Sequence, residues 1–167
     1  VHVHRVELLP VCAEADEVVV REDLPDLLFE ALPVEFEVAQ DARAFAELVR
    51  DQGVTILNQI PTSFYAVSQS LDAPQLRCVI FGGEALQPGQ LREWHVAHPA
   101  VRLVNMYGIT ETTVHVTWHE LTAEDLGSNA RVIGEPLPES GVWLLDRWGQ
   151  PVPVGVAGEM FVGGGGL

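Results

Sequence analysis

The most regular hydrophobic pattern of the chain begins at residue 41. Asp41 is a residue type that caps helices, and Phe45, Leu48 and Val49 follow it at spacings that place them on one helical face. Gly53 suits the C-terminal end of such a helix. The pattern therefore predicts an amphipathic helix between Asp41 and Gly53.

Three short apolar runs follow, and each is typical of a buried strand. The predicted strands cover residues 54–57, 77–81 and 101–106. Between them, one helix is predicted from a cap at Thr62 or Ser63, after Pro61, and another over residues 90–98. Strands separated by about a dozen helical residues need crossover connections. The order predicts an α/β fold, with a parallel sheet and flanking helices.

The hydrophobic pattern changes to alternation beyond residue 113. Alternating apolar residues occur around Trp118, over residues 142–145 and over residues 160–162, with glycine and proline between them. We therefore expect an α/β subdomain over residues 41–113 and the start of a β-rich subdomain over residues 114–167.

Residues 1–40 differ from the rest in charge. They hold ten carboxylates against only Arg5 and Arg21, and three prolines interrupt their short apolar pieces. No sustained helical or strand period is present, so the pattern assigns no helix or strand to this acidic segment and leaves its structure open.

Composition and charge restrict the class of protein. The 167 residues are 47% hydrophobic, which is typical of a folded domain, and they carry a net charge of −15. That charge disfavours nucleic acid and anionic lipid as partners, and no apolar run is long enough for a membrane helix. With no signal peptide we expect a cytoplasmic protein. Cys12 and Cys78 are expected to be buried small residues, and His2 and His4 to lie at a solvated terminus.

Two motifs follow predicted strands, at the sheet edge where ligands gather in α/β folds. In Phe81-Gly82-Gly83-Glu84-Ala85-Leu86, the glycines allow a flat ligand to approach the backbone, or they simply permit a tight turn, with Glu84 favouring a helix N-terminus. The second motif, residues 105–113, combines an amide, an aromatic ring, hydroxyls and a carboxylate. These groups suit a base, phosphates and magnesium, or they form a polar turn.

Together these motifs resemble the adenylation domains of nonribosomal peptide synthetases, within the adenylate-forming, AMP-binding enzymes. The segments 54–62, 133–137 and 158–164 resemble further motifs of that family in the same order. The resemblance extends from about Asp41 to Leu167. It implies ATP-dependent activation of an amino acid as an aminoacyl adenylate. The product would then load the phosphopantetheine thiol of a peptidyl carrier domain, in a synthetase that also contains condensation domains.

The resemblance also implies roles for individual residues. Gly83, Glu84 and Ala85 would lie against adenine. Asn105 would form a hydrogen bond with the amino group of adenine, and Tyr107 would stack on its ring. Thr110 would contact the phosphates, and Glu111 would hold Mg²⁺. Thr110 and Glu111 would thereby be catalytic.

The amino-acid pocket would be lined by Asn58, Ile80, Gly82, Met106, Val114 and His115, a combination that resembles threonine-activating domains. Asn58 and His115 could bond a hydroxyl, while the apolar residues cover a methyl group. Without the resemblance, His115 would be an ordinary surface or hydrogen-bonded histidine.

Several expected parts of the family are absent from these residues. No Phe-Asp-x-Ser-type motif occurs in residues 1–40, where Asp16 is at best a displaced candidate, and no glycine-rich phosphate loop is present. All nine basic residues are arginine, so the chain has no catalytic lysine. We expect an internal fragment that is inactive alone. The alternatives are a nucleotide-binding fragment without turnover, a gene remnant, and an acyl-CoA or aryl-CoA ligase.

Overall fold

A computed structural model describes residues 18–21, 30–32, 34, 36–108, 115–128, 130–138 and 140–164. Their strands are β1 (Val18–Arg21), β2 (Glu30–Leu32), β3 (Ile56–Gln59), β4 (Cys78–Phe81), β5 (Arg102–Tyr107), β6 (Thr117–Glu120), β7 (Glu135–Pro136), β8 (Ser140–Leu145) and β9 (Glu159–Gly164). Their helices are α1 (Phe36–Gln40), α2 (Ala42–Asp51), α3 (Pro61–Ser68), α4 (Arg92–Ala97) and α5 (Ala123–Leu126), with a 3₁₀ helix at Pro88–Leu91.

The predicted parallel sheet is confirmed as the centre of a larger mixed sheet. The seven strands lie in the order β2-β1-β3-β4-β5-β6-β7. The neighbours β3, β4 and β5 are parallel, and helical crossovers connect them. β1 and β6 pair antiparallel with the outer members of this parallel core.

The predicted helices are present with shifted ends. The Asp41 carboxylate accepts hydrogen bonds from the amides of Arg43 and Ala44, so the predicted cap of α2 is confirmed, and Gly53 has a φ of 66°. The predicted cap of α3 at Thr62 or Ser63 is wrong. α3 already begins at Pro61, whose fixed φ suits the first helical position, and Thr62 therefore lies inside the helix.

Two further boundaries also differ. The first predicted strand lies at Ile56–Gln59 instead of residues 54–57. The helix predicted over residues 90–98 is divided between the 3₁₀ helix and α4.

The described part of residues 1–40, whose structure the pattern left open, contains two strands and a helix. β1 pairs antiparallel with β3, with Val18 opposite Asn58, and β2 pairs with the other side of β1. α1 follows β2 in the chain. These strands have three or four residues each, and their backbone groups are satisfied by partners distant in sequence, which a local hydrophobic period does not reveal.

The alternating segments beyond residue 113 form strands in two sheets. β6 and β7 extend the main sheet, whereas β8 and β9 pair with each other in a separate two-stranded sheet.

The hydrophobic core lies on one face of the main sheet. Phe64 of α3 packs edge-to-face against Phe81 of β4 and Trp94 of α4, with ring centroids 5.1 Å apart in each pair. All three side chains are buried. On the opposite face the side chains of Asn58 and Ile80 are only half-buried, so this face is partly accessible among the described residues.

Cys78 lies on that second face and is half-buried, not fully buried as expected. Burial raises the pKa of its thiol. Cys12, His2 and His4 lie outside the described residues. None of the described helices has both the length and the apolar character needed to cross a bilayer.

Candidate functional site

The predicted pocket residues meet on one face at the carboxyl ends of the parallel strands. Asn58, Ile80 and Val104 are level in the strand register. Met106 lies two residues further along β5, and Gly82 is the first residue after β4. Because side chains alternate between the faces of a strand, Asn58, Ile80, Gly82 and Met106 share one face. The structure therefore brings together four predicted pocket positions.

His115 lies directly over Gly82 on that face. A Cβ atom placed on Gly82 would be 2.6 Å from His115 Nε2, too close for a real contact. The imidazole thus occupies the space that any larger residue at position 82 would need. This contact adds His115, the fifth predicted pocket residue, although it lies 33 positions away in sequence.

The His115 ring is buried, and its burial favours the uncharged form of the imidazole. The residue is only 9% exposed, and its Nδ1 atom has no hydrogen-bond partner among the described residues. Desolvation by burial lowers the pKa of the imidazole, so the uncharged ring is favoured. The interpretation of His115 as a surface histidine, or as one with its hydrogen bonds satisfied by described groups, does not fit this environment.

Asn105 and Tyr107 lie on the opposite face of β5 from Met106. Asn105 is buried, and its Nδ2 atom donates a 2.8 Å hydrogen bond to the carbonyl oxygen of Val132. This bond fixes which end of the amide is the donor, because a carbonyl oxygen can only accept. Tyr107, at the end of β5, is 37% exposed and presents an accessible ring.

The segment around residue 133, singled out as a motif, packs beside Asn105. The Thr117 hydroxyl donates to the Ile133 carbonyl oxygen. Gly134 has a φ of 80°, and a Cβ there would collide with the Trp118 carbonyl oxygen and with the backbone around it. Glycine is therefore required where this segment crosses β6.

The glycine-containing turn after β4 is exposed at residues 83–85. Gly83 has a φ of 78°, a left-handed conformation that favours glycine. The Glu84 carboxylate does not act at the helix that follows it. It accepts hydrogen bonds from the backbone amide and the hydroxyl of Thr62, in the first turn of α3.

Three predicted site residues, Thr110, Glu111 and Val114, lie outside the described residues. No group of three or more potential metal ligands occurs in the part of the chain that the structure covers, and the predicted magnesium ligand Glu111 is not in that part.

Sequence reasoning missed three supporting contacts of the site. It assigned no role to Thr117, to the Val132 carbonyl or to Tyr65, whose hydroxyl is hydrogen-bonded to the backbone of Gln87. Only a pairing of distant segments could have revealed them, because the partners are 16 to 27 residues apart in the chain.

Comparison with known proteins identifies the family. A family sequence model described as AMP-binding enzyme matches residues 31–167. The match begins ten residues before Asp41, where the motifs alone placed the start of the resemblance. A plipastatin synthase of Bacillus subtilis is 46% identical over 135 residues, which is 78% of this chain and 5% of that protein. A dimodular nonribosomal peptide synthase of the same organism is 46% identical over 144 residues, covering 80% of this chain and 6% of that protein.

A solved structure has the same fold. PA1221, described as a nonribosomal peptide synthetase protein containing adenylation and PCP domains, matches with a TM-score of 0.68 and 31% identity. The match covers 76% of this chain and 26% of that one, so the chain spans a small part of the relatives it resembles. The chain belongs to the AMP-binding enzyme family and corresponds to a segment of a nonribosomal peptide synthetase adenylation domain.

Proposed function

We propose that this segment forms part of the site at which an adenylation domain activates an amino acid with ATP as an aminoacyl adenylate. The observation that carries the proposal is the two-sided arrangement of β5. Asn105 and Tyr107 lie on one face, and Met106 lies on the other with Asn58, Ile80 and Gly82. A nucleotide and an amino acid bound on these two sides would meet at the end of the strand.

On the nucleotide side, the described residues fit adenine. Since Asn105 Nδ2 is committed to Val132, Oδ1 is the atom that would accept a hydrogen bond from an exocyclic amino group. The exposed Tyr107 ring offers a stacking surface, and the exposed turn at Gly83 and Ala85 lets a flat ligand approach the backbone. Thr110 would contact the phosphates, and Glu111 would hold Mg²⁺, which would neutralise phosphate charge.

On the amino-acid side, we propose threonine as the substrate. Burial lowers the pKa of His115 and favours its neutral form, and its buried Nδ1 has no described partner, so it can bond a side-chain hydroxyl. Asn58 offers a second polar group, while Ile80 and Met106 supply apolar cover for a methyl group. Val114 would add to that cover.

The activated amino acid would pass to the phosphopantetheine thiol of a peptidyl carrier domain in a synthetase that also contains condensation domains. Support for this partner comes from PA1221, whose description names adenylation and PCP domains in one protein. The division into an α/β part over residues 41–113 and a β-rich part from residue 114 remains part of the proposal.

Nucleotide binding is tested first, by calorimetric titration of the chain with ATP. We expect Tyr107→Ala to abolish detectable binding, because stacking on one aromatic ring contributes on the order of 1–3 kcal/mol. The matched control is Trp148→Ala, which removes another exposed aromatic ring, outside the site. Equal binding by the parent chain and Tyr107→Ala would contradict the proposed adenine site.

Turnover and substrate choice need a second experiment. The 167 residues contain no lysine, and we expect no threonine-dependent pyrophosphate exchange by this chain alone. Exchange by the chain alone would show that the parts missing from it are not essential.

Substrate choice is tested in a chimera, in which residues 41–164 replace the matching segment of the plipastatin synthase to which the chain is similar. There, threonine should support exchange better than valine, which lacks the hydroxyl, and serine, which lacks the methyl group. Equal exchange with valine would refute the role of His115 and Asn58.

Nucleotide binding without turnover is the second candidate function for the chain as it stands. The absence of lysine favours it, since no lysine side chain of these residues can stabilise a developing charge. ATP binding combined with no exchange in the chimera would support this candidate over the first.

A further inference from the structure

The turn between β4 and the 3₁₀ helix is held by side chains of α3. The backbone amides and carbonyls of residues 83–86 form no hydrogen bond with other backbone groups in the described part of the chain. Without such bonds, the conformation of a turn depends on side-chain contacts. Side chains of α3 make two such contacts, one with Glu84 before Ala85 and one with Gln87 after it.

The first contact joins Glu84 to Thr62. The Thr62 hydroxyl donates to the Glu84 carboxylate at 2.8 and 3.0 Å, and the Thr62 amide donates to it at 3.2 Å. The carboxylate also lies at the helix end where backbone amides lack partners. The negatively charged carboxylate of Glu84 therefore lies against the N-terminal end of α3.

The second contact joins Tyr65 to Gln87. The phenolic oxygen accepts a 2.9 Å hydrogen bond from the Gln87 amide and donates a 3.2 Å bond to the Gln87 carbonyl oxygen. One hydroxyl thus satisfies both backbone groups of Gln87. Burial raises the pKa of Tyr65, which keeps the phenol protonated and able to donate.

We propose that Thr62 and Tyr65 are positioning residues that hold the Gly83–Ala85 turn in its nucleotide-binding conformation. The inference rests on the proposed function, because the turn matters to catalysis only if adenine lies against it. We name the pair of contacts Thr62–Glu84 and Tyr65–Gln87 the α3 clamp.

The α3 clamp also connects the two sides of the site. α3 follows β3 almost directly, and β3 carries the pocket residue Asn58. The side chain of Ile60, between β3 and α3, lies 3.3 Å from the position of a Cβ on Gly83. A displacement of β3 would therefore also move the Gly83–Ala85 turn.

Hydrogen exchange measured by mass spectrometry tests the clamp without requiring ATP. In the Tyr65→Phe chain we expect exchange of the Gln87 amide, which donates to the Tyr65 hydroxyl, to accelerate about fivefold, the effect of losing one ordinary hydrogen bond. Thr62→Val should have a similar effect, and Thr62→Ser, which retains the hydroxyl, should restore parental exchange. The matched control is Glu93→Gln, since Glu93 is an exposed carboxylate near the start of α4 and belongs to neither contact.

Calorimetric titration with ATP then tests the positioning role. Tyr65→Phe and Thr62→Val should weaken ATP binding about two- to tenfold, whereas Glu93→Gln and Thr62→Ser should leave it unchanged. Local acceleration of exchange together with weaker ATP binding would support the proposal.

Three outcomes would overturn it. Unchanged exchange at the Gln87 amide would show that the clamp does not hold the turn. Faster exchange throughout β3, β4 and β5 would show that the variants merely destabilise the fold. Unchanged ATP affinity despite faster local exchange would remove the positioning role. Failure of the parent chain to bind ATP would instead refute the proposed function, and it is distinguishable because the exchange result is obtained independently.

Discussion

The close approach of His115 to Gly82 allows the stability cost of a substitution at position 82 to be predicted. In Gly82→Ala the new Cβ would lie 2.6 Å from His115 Nε2, about 1 Å closer than ordinary van der Waals contact. The imidazole is buried, so it would have to shift within a packed environment to relieve this contact. We expect the substitution to lower the free energy of unfolding by about 1–3 kcal/mol, the usual cost of overpacking a core.

The double substitution tests this cause directly. In a His115→Ala background the collision is absent, and the φ of Gly82 lies outside the left-handed region that alanine avoids. Gly82→Ala should then be neutral or stabilise the chain by up to about 1 kcal/mol, because alanine restricts the unfolded chain. The coupling energy between the two positions should therefore be about 1–4 kcal/mol.

Urea unfolding of the four chains, followed by tryptophan fluorescence, measures these energies. Gly53→Ala is the control, because Gly53 has a φ of 66° and no atom within 4 Å of its Cβ position. It should cost about 1–2 kcal/mol from backbone strain alone, equally with and without His115. The reasoning is refuted if Gly82→Ala costs the same in both backgrounds.

Three further outcomes are expected from the same unfolding assay. Asp41→Ala removes the N-cap of α2 and should cost about 1 kcal/mol, and no loss would show that the cap is dispensable. Gly134→Ala forces a Cβ into the Trp118 carbonyl oxygen at a φ of 80° and should cost about 3 kcal/mol or more, so a smaller loss would mean that the crossing segment can move away. Because the folded-state pKa of His115 is lowered, the unfolded chain takes up a proton first, and stability should fall as the pH drops below about 6.5. His115→Gln should reduce this pH dependence, and an unchanged slope would contradict a buried neutral imidazole.

Much of the parallel core was predictable from local pattern. α2 is amphipathic and carries its own cap, and β3, β4 and β5 are short apolar runs separated by helical segments. These signals are local, because capping and periodicity act within one or two turns. β1 and β2 were missed for the opposite reason, since these three- and four-residue strands exist through pairing with distant residues.

The start of α3 and the hydrogen bonds of Thr62 show the same contrast between local signals and contacts with distant residues. Thr62 has the chemistry of a helix cap, but Pro61 starts the helix one residue earlier and Thr62 instead bonds Glu84. That choice depends on a carboxylate 22 residues away. Pro61 fixes the start of the helix locally, but no property of residues 60–63 alone specifies Glu84 as the partner of Thr62.

By itself, the sequence determined the family motifs, the order of the elements in the parallel core and the residue types on which the proposed nucleotide and amino-acid sites depend. The tertiary structure decided which of those residues meet. It placed His115 against Gly82, turned the Asn105 amide towards Val132 and fastened the Gly83–Ala85 turn to α3. Helix caps and hydrophobic periods depend on neighbours in the chain, whereas burial, steric exclusion and hydrogen bonding between distant segments arise only when the sheet has brought those segments together.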